Sequence, residues 1–136
     1  MTIADDLERD EGLRLKPYRD TVGKLTIGVG RNLDDVGITA VEARALLAND
    51  IAKATDELTR TIPWFAAAPE GVRRGMVNMA FNMGLAGLMQ FQNMLRALEA
   101  KDYAEAAVEA LDSDWARQVG ARADRIAGLF RSAHVA

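Results

Sequence analysis

The periodicity of apolar residues changes once along the chain, near residue 40, and that change limits the fold more than any other feature. Before it lies the only strand-like stretch. Leu13 and Leu15 alternate with Arg14 and Lys16, and Pro17 confines the run to a sheet edge because it cannot donate to a ladder. Asp20-Thr21-Val22-Gly23 reads as a turn, and Leu25, Ile27 and Val29 alternate with Thr26, Gly28 and Gly30. Together these predict a β-hairpin over about 13–30, with Thr26 on the face opposite Leu25, Ile27 and Val29. Ahead of it, Ile3, Leu7 and Glu11 share one face of a first helix. Thr2 with Asp5 opens that helix as a capping box and Gly12 ends it. The spacing predicts that it buries Ile3 and Leu7 and carries Glu11 on the buried side.

After residue 40 the pattern is helical throughout. Thr39 with Glu42 is a second capping box, and Leu47, Ile51, Ala54 and Leu58 mark one face of a long helix ending before Pro63. Pro69 opens another, with Val72, Met76, Met79, Ala80 and Met83 inside and Gly84 as its stop. Shorter helices are predicted over 85–90, 92–100 and 103–111, the last opened by Asp102 with Glu105. A turn or short helix surrounds Trp115, and a final helix over about 121–133 buries Ile126, Leu129 and Phe130. The fold class is α+β and mostly helical.

A chain of 136 residues buries about two-thirds of the surface its unfolded form exposes, so no covalent staple is needed. None is possible, since cysteine is absent, and a thiol nucleophile and a cysteine-ligated metal are excluded with it. With a single His, a metal site is not expected, and no cofactor motif is present. A net charge of -3 argues against nucleic acid as the main partner. A local basic surface is still available from Arg117, Arg122, Arg125 and Arg131, partly offset by Asp124. The acidic start and the lack of a long apolar run predict neither a signal peptide nor membrane insertion.

Glu11 is the oddest placement in the sequence. It stands on the apolar face of a helix, at the negative end of the helix dipole, and both conditions disfavour its ionised form. A protonated carboxyl is what a general acid needs, although a nearby arginine would act the other way. Asp20, in a wet loop at the mouth of the hairpin, is expected to stay ionised, and the Thr26 hydroxyl lies on the same side. Two carboxyls in unlike surroundings suit the cleavage of a glycosidic bond. Singly, each residue has an ordinary structural reading: a Glu ending a helix, an Asp forming a turn.

The order and spacing of these residues carry more. Glu11-Gly12-Leu13-Arg14-Leu15, Tyr18-Arg19-Asp20-Thr21 and Leu25-Thr26-Ile27-Gly28-Val29-Gly30 strongly resemble the phage-type lysozymes of glycoside hydrolase family 24. The resemblance continues through Val72-Arg73-Arg74, Asn78 to Gly84, Phe91, Asn93, Leu95, Glu105 to Val108, Ser113, Trp115, Gln118, Arg122 and Arg125. It implies a lysozyme-like fold in two lobes with a cleft between them. A small β-containing lobe would span 12–40, a connecting helix 40–60, and a helical lobe 1–11 with 59–136. It implies catalysis by Glu11 as acid and Asp20 as base, with Thr26 helping to hold the water. T-even-type relatives invert the anomeric configuration, which needs room for a water between the carboxyls. The resemblance also implies sugar contacts at Gly30, Asn32, Phe81, Asn82, Met94 and Gln118, and supporting pairs of Arg122 with Glu11 and Arg125 with Asp10.

The chain departs from that pattern in places. Arg31 stands where the family often has His, and an Arg31–Asp50 salt bridge is the expected replacement for the family's His–Asp pair. The segment between Gly30 and Thr39 is short, so the β-lobe should be small. Met94 stands where a small polar residue occurs in T-even-type relatives, and Glu109 replaces an Asn at the cleft rim.

Plainer readings apply to other features. The methionines at 76, 79, 83, 89 and 94 fit core filling better than binding. Trp64 and Trp115 fit a half-buried core role better than sugar stacking. Gly28 and Gly30 suit a strand bend as well as a close approach of sugar. His134 is expected to be solvated.

The expected function is hydrolysis of the β-1,4 bond between N-acetylmuramic acid and N-acetylglucosamine in bacterial peptidoglycan, by a monomer, for host lysis as a phage or prophage endolysin or as a tail-borne wall-piercing domain. An endolysin without a leader would gather in the host cytoplasm and need a holin to reach the wall. A lytic transglycosylase needs no base carboxylate, and a silent wall-binding module would usually have lost a member of the triad. A helical regulatory protein would leave Glu11 and the hairpin motif unexplained.

Overall fold

The computed structural model describes residues 1–133, so the reading of His134 lies outside the described residues. The chain divides into two compact units, Met1–Leu46 and Leu47–Ala136.

In the first unit, α1 spans Ile3–Glu11. Its capping box is formed in full: Thr2 Oγ1 accepts from Asp5 N, and Asp5 accepts from Thr2 N. Gly12, at φ +80°, turns the chain out of the helix. Strands β1 (Arg14–Arg19), β2 (Leu25–Gly28) and β3 (Arg31–Asn32) form an antiparallel sheet in the order β1-β2-β3. Pro17 therefore sits on an edge strand, as a residue without an N–H must. The register shifts between Arg14 and Tyr18, beside that proline. The expected hairpin is present, and β3 is an addition that its two residues were too short to announce.

One expectation for this unit is not met. Ile3 and Leu7 are 70% and 47% exposed, and α1 buries no residue. The sheet turns Thr26, rather than an apolar side chain, into its buried position, with only 3% of it exposed. Leu25 and Ile27 on the opposite face are half-buried. A sheet this small offers α1 no broad apolar face to cover.

The boundary between the units falls inside α2 (Ala40–Thr61), which the Thr39–Glu42 capping box opens: Thr39 N donates to Glu42 Oε1 at 2.9 Å and Glu42 N to Thr39 Oγ1 at 3.1 Å. The second unit continues through a 3₁₀ turn at Phe65–Ala67 into α3 (Glu70–Met89), α4 (Gln92–Glu99), α5 (Tyr103–Leu111), α6 (Asp114–Val119) and α7 (Ala121–Arg131). Gly84 breaks the regular backbone of α3 at φ +79°, so the expected stop is a kink with helix on both sides. Asp102 caps α5 by accepting from Glu105 N at 3.2 Å.

The core of this unit is one cluster that includes Leu58, Phe65, Val72, Met76, Met79, Ile126 and Phe130. Gly75 lets α7 come close, since a β-carbon there would lie 2.6 Å from the Phe130 ring. Met76, Met79 and Met94 are buried in the cluster and Met83 packs against it, as core-filling methionines should. Trp115 belongs to the same core, its ring edge-on to Phe91 at 5.9 Å between centroids.

Candidate active site

Three chain segments of the first unit supply the expected catalytic residues. Glu11 is the last residue of α1. Asp20 follows β1 and opens the turn to β2, and Thr26 is on the central strand, paired with Tyr18 on one side and Asn32 on the other.

One backbone oxygen couples Asp20 to Thr26. The carbonyl of Lys24 accepts the backbone N–H of Asp20 and the hydroxyl of Thr26, each at 2.9 Å. The Asp20 side chain closes the same turn. Its Oδ1 accepts from Val22 N at 3.0 Å and from Lys24 N at 2.8 Å, while Gly23 N donates back to the Asp20 carbonyl. Asp20 thus acts as an Asx-type turn former and keeps its second oxygen, Oδ2, outside these bonds. Thr26 gives its only proton to Lys24, so its remaining hydrogen-bonding capacity is as an acceptor.

Glu11 is exposed, which corrects the expectation of a buried side. Its side chain rests on the backbone of Gly30, at the turn between β2 and β3. A β-carbon at Gly30 would sit 3.0 Å from Glu11 Oε2 and 3.2 Å from Cδ.

The turn that follows is held by side chains that periodicity does not reveal. Leu25 N donates to Asp34 Oδ2 at 2.8 Å. Asn32, an expected sugar contact, brackets Asp35: its Nδ2 donates to Asp35 Oδ2 and its Oδ1 accepts from Asp35 N. Arg31 is clasped by Glu42 through two bonds of 2.8 Å and gives a further one to the Gly37 carbonyl. Glu42 is therefore the partner found, where Asp50 was expected. Its carboxylate is already fixed at the N-terminus of α2 by the capping box, within reach of Arg31. That pairing and the cap hold the Glu42 carboxyl down at about 2. The capping pattern marked Glu42 in the sequence, but nothing there linked it to Arg31.

The other expected site residues, Asp10 apart, lie in the second unit. Phe81 is 48% exposed and lines a hollow of about 490 Å³ with Leu47, Ile51, Val77 and Arg122. Gln118 lines a separate hollow, also of about 490 Å³, with Phe91, Glu109 and Trp115. Asn82 Oδ1 accepts from Trp115 Nε1 at 2.8 Å, which ties α3 to α6. Met94 is 1% exposed on the inner face of α4, so its expected role as a sugar contact is corrected to core packing. The partner found for Arg122 is Asn78 (Nε to Oδ1, 2.8 Å), where Glu11 was expected. Asp10 pairs with its sequence neighbour Arg9 at 3.0 Å, where Arg125 was expected. No group of side chains suited to hold a metal occurs among the described residues.

Comparison with known proteins identifies the family. Residues 8–133 match the family model described as phage lysozyme. The chain is 32% identical to the pre-baseplate central spike protein Gp5 of Enterobacteria phage T4, over 93% of this chain but only 27% of that protein. It is 30% identical to the probable T4-type lysozyme 1 of Dictyostelium discoideum, over 96% of this chain and 94% of that protein. It is 32% identical to an endolysin of Acyrthosiphon pisum secondary endosymbiont phage 1, over 85% and 80% of the two chains.

Proposed function

Since the chain belongs to the phage lysozyme family, and is thereby a glycoside hydrolase of the lysozyme type, we propose that it cleaves the β-1,4 bond from N-acetylmuramic acid to N-acetylglucosamine with Glu11 as acid and Asp20 as base. Bacterial peptidoglycan is the substrate that this family implies.

The observation that carries the mechanism is the Lys24 carbonyl shared by Asp20 and Thr26. Oδ1 of Asp20 is occupied by two backbone N–H groups, so Oδ2 is the oxygen that takes a proton from water. Thr26, its hydroxyl donating to the Lys24 carbonyl, accepts a hydrogen bond from the O–H that the water keeps. The water then attacks the anomeric carbon as Glu11 protonates the departing glycosidic oxygen. Attack from the face opposite the leaving group inverts the configuration. Asn32, Phe81, Asn82 and Gln118 are proposed as contacts to the glycan, and the protein acts as a monomer.

The proposed setting is lysis of a bacterial host, with a holin releasing the enzyme to the wall. Among the described residues, no helix is long and apolar enough to cross a membrane. Purified peptidoglycan, digested by the wild type and by Glu11→Gln, tests the chemistry through mass spectrometry of the soluble fragments. Reducing muropeptides from the wild type alone are expected. Anhydro ends would show a transglycosylase, and fragments from both proteins would remove Glu11 from the mechanism.

A further inference from the structure

We propose that Gly30 is a positioning residue for the catalytic acid: its missing side chain is the seat against which the Glu11 carboxyl is held. The inference rests on the reading of Glu11 as the acid.

Glu11 ends a helix, and three rotatable bonds separate its carboxyl from the backbone. Within the first unit, no hydrogen bond to a described residue fixes that carboxyl. What locates it is contact. Oε2, Cδ and Cγ of Glu11 lie 3.0, 3.2 and 3.3 Å from the point that a β-carbon of Gly30 would occupy. Three atoms of one side chain lie against one missing atom. Any side chain at residue 30 would push the carboxyl away. A β-carbon at these distances requires the Glu11 carboxyl to give by a few tenths of an ångström, and since a displacement of about 1 Å costs on the order of 100-fold in rate, the smaller shift should cost roughly 3- to 10-fold.

Gly30 also has φ +68°, a conformation that side chains resist, so a substitution there carries strain as well as contact. The chain contains its own control. Gly28, two residues earlier, has φ +71°, and a β-carbon there would meet nothing within 4 Å. Gly28→Ala therefore introduces the same strain without touching Glu11.

The test compares Gly30→Ala with Gly28→Ala in turnover, KM, the pH dependence of turnover and melting temperature. Similar losses of melting temperature are expected from both. Gly30→Ala alone should lower kcat by roughly 3- to 10-fold, with KM little changed, and should move the alkaline limb of the pH profile, which reports the acid. Equal activity in the two folded variants would overturn the proposal, and so would a rise in KM with kcat intact, which would mean a sugar contact. If Gly30→Ala does not fold, the same change is made in a Glu11→Ala background. Recovery of folding there supports the contact, and continued failure refutes it. Glu11→Gln, assayed beside them, separates the two readings: if it keeps full activity, the assignment of the acid fails whatever Gly30 does.

Discussion

Arg31 and Glu42 meet as a two-point fork, with Nη1 and Nη2 of the guanidinium each 2.8 Å from one carboxylate oxygen. The pair joins β3 to the first turn of α2, and its geometry is the bidentate one that makes an arginine–carboxylate contact directional. Glu42 carries two duties at once, since Oε1 also accepts the N–H of Thr39.

The fork makes a pH prediction. The Glu42 carboxyl lies at about 2, below its ordinary 4.5, mainly because of the Arg31 hydrogen bonds and then the Thr39 N–H. A depressed folded value means that the pair contributes its full stability above about 4.5 and loses it as pH falls toward 2. Arg31→Met should lower the melting temperature near neutrality, and the gap from the wild type should narrow as pH falls through about 2, leaving the share due to the Arg31 bond to the Gly37 carbonyl. NMR titration of the Glu42 side chain should show its midpoint rising toward the ordinary range in the variant. Both partners are more than a third exposed, so salt should shrink the difference.

Asp20→Asn separates chemistry from turn formation. The amide keeps an oxygen able to accept from Val22 N and Lys24 N, as Oδ1 does now. It cannot take a proton from water. Peptidoglycan cleavage should fall by roughly 100-fold or more, with circular dichroism unchanged and a melting temperature close to that of the wild type. A variant that retains most of its activity would remove Asp20 as the base.

Thr26→Val retains shape and removes the hydroxyl. The side chain is only 3% exposed, so the loss of its bond to the Lys24 carbonyl should cost about 1 kcal/mol in denaturant unfolding. The Lys24 oxygen still has Asp20 N as a donor, which limits the penalty. Activity should drop by at least about tenfold, because the acceptor proposed to hold the water is gone. Loss of stability without loss of activity would reduce Thr26 to a structural residue.

Met94→Ala tests the correction made at that position. Met94 is buried at 1% exposure in the helical core. The truncation should cost about 2–5 kcal/mol of stability, and KM should stay unchanged below the melting range. A raised KM with little loss of stability would return Met94 to the sugar site.

Much of this protein is legible in the order of its residues, and the reason is local. Helix ends depend on groups three residues apart, so Thr2 with Asp5 and Thr39 with Glu42 could be read directly as caps. Turns depend on neighbours, so Asp20 to Gly23 was visible, and Pro17 marked the edge strand because it has no proton to donate. The spacing of Glu11, Asp20 and Thr26 is likewise a property of the chain itself. Tertiary structure decided what depends on meetings between distant residues. It gave Arg31 to Glu42 rather than to Asp50, drew Met94 inside, put Thr26 in the buried position of the sheet, and seated Glu11 on the bare backbone of Gly30. Periodicity says which side of an element is apolar. Which group lies opposite a given side chain is settled only when the chain has folded and the nearest competent partner has taken the charge, the hydrogen bond or the space.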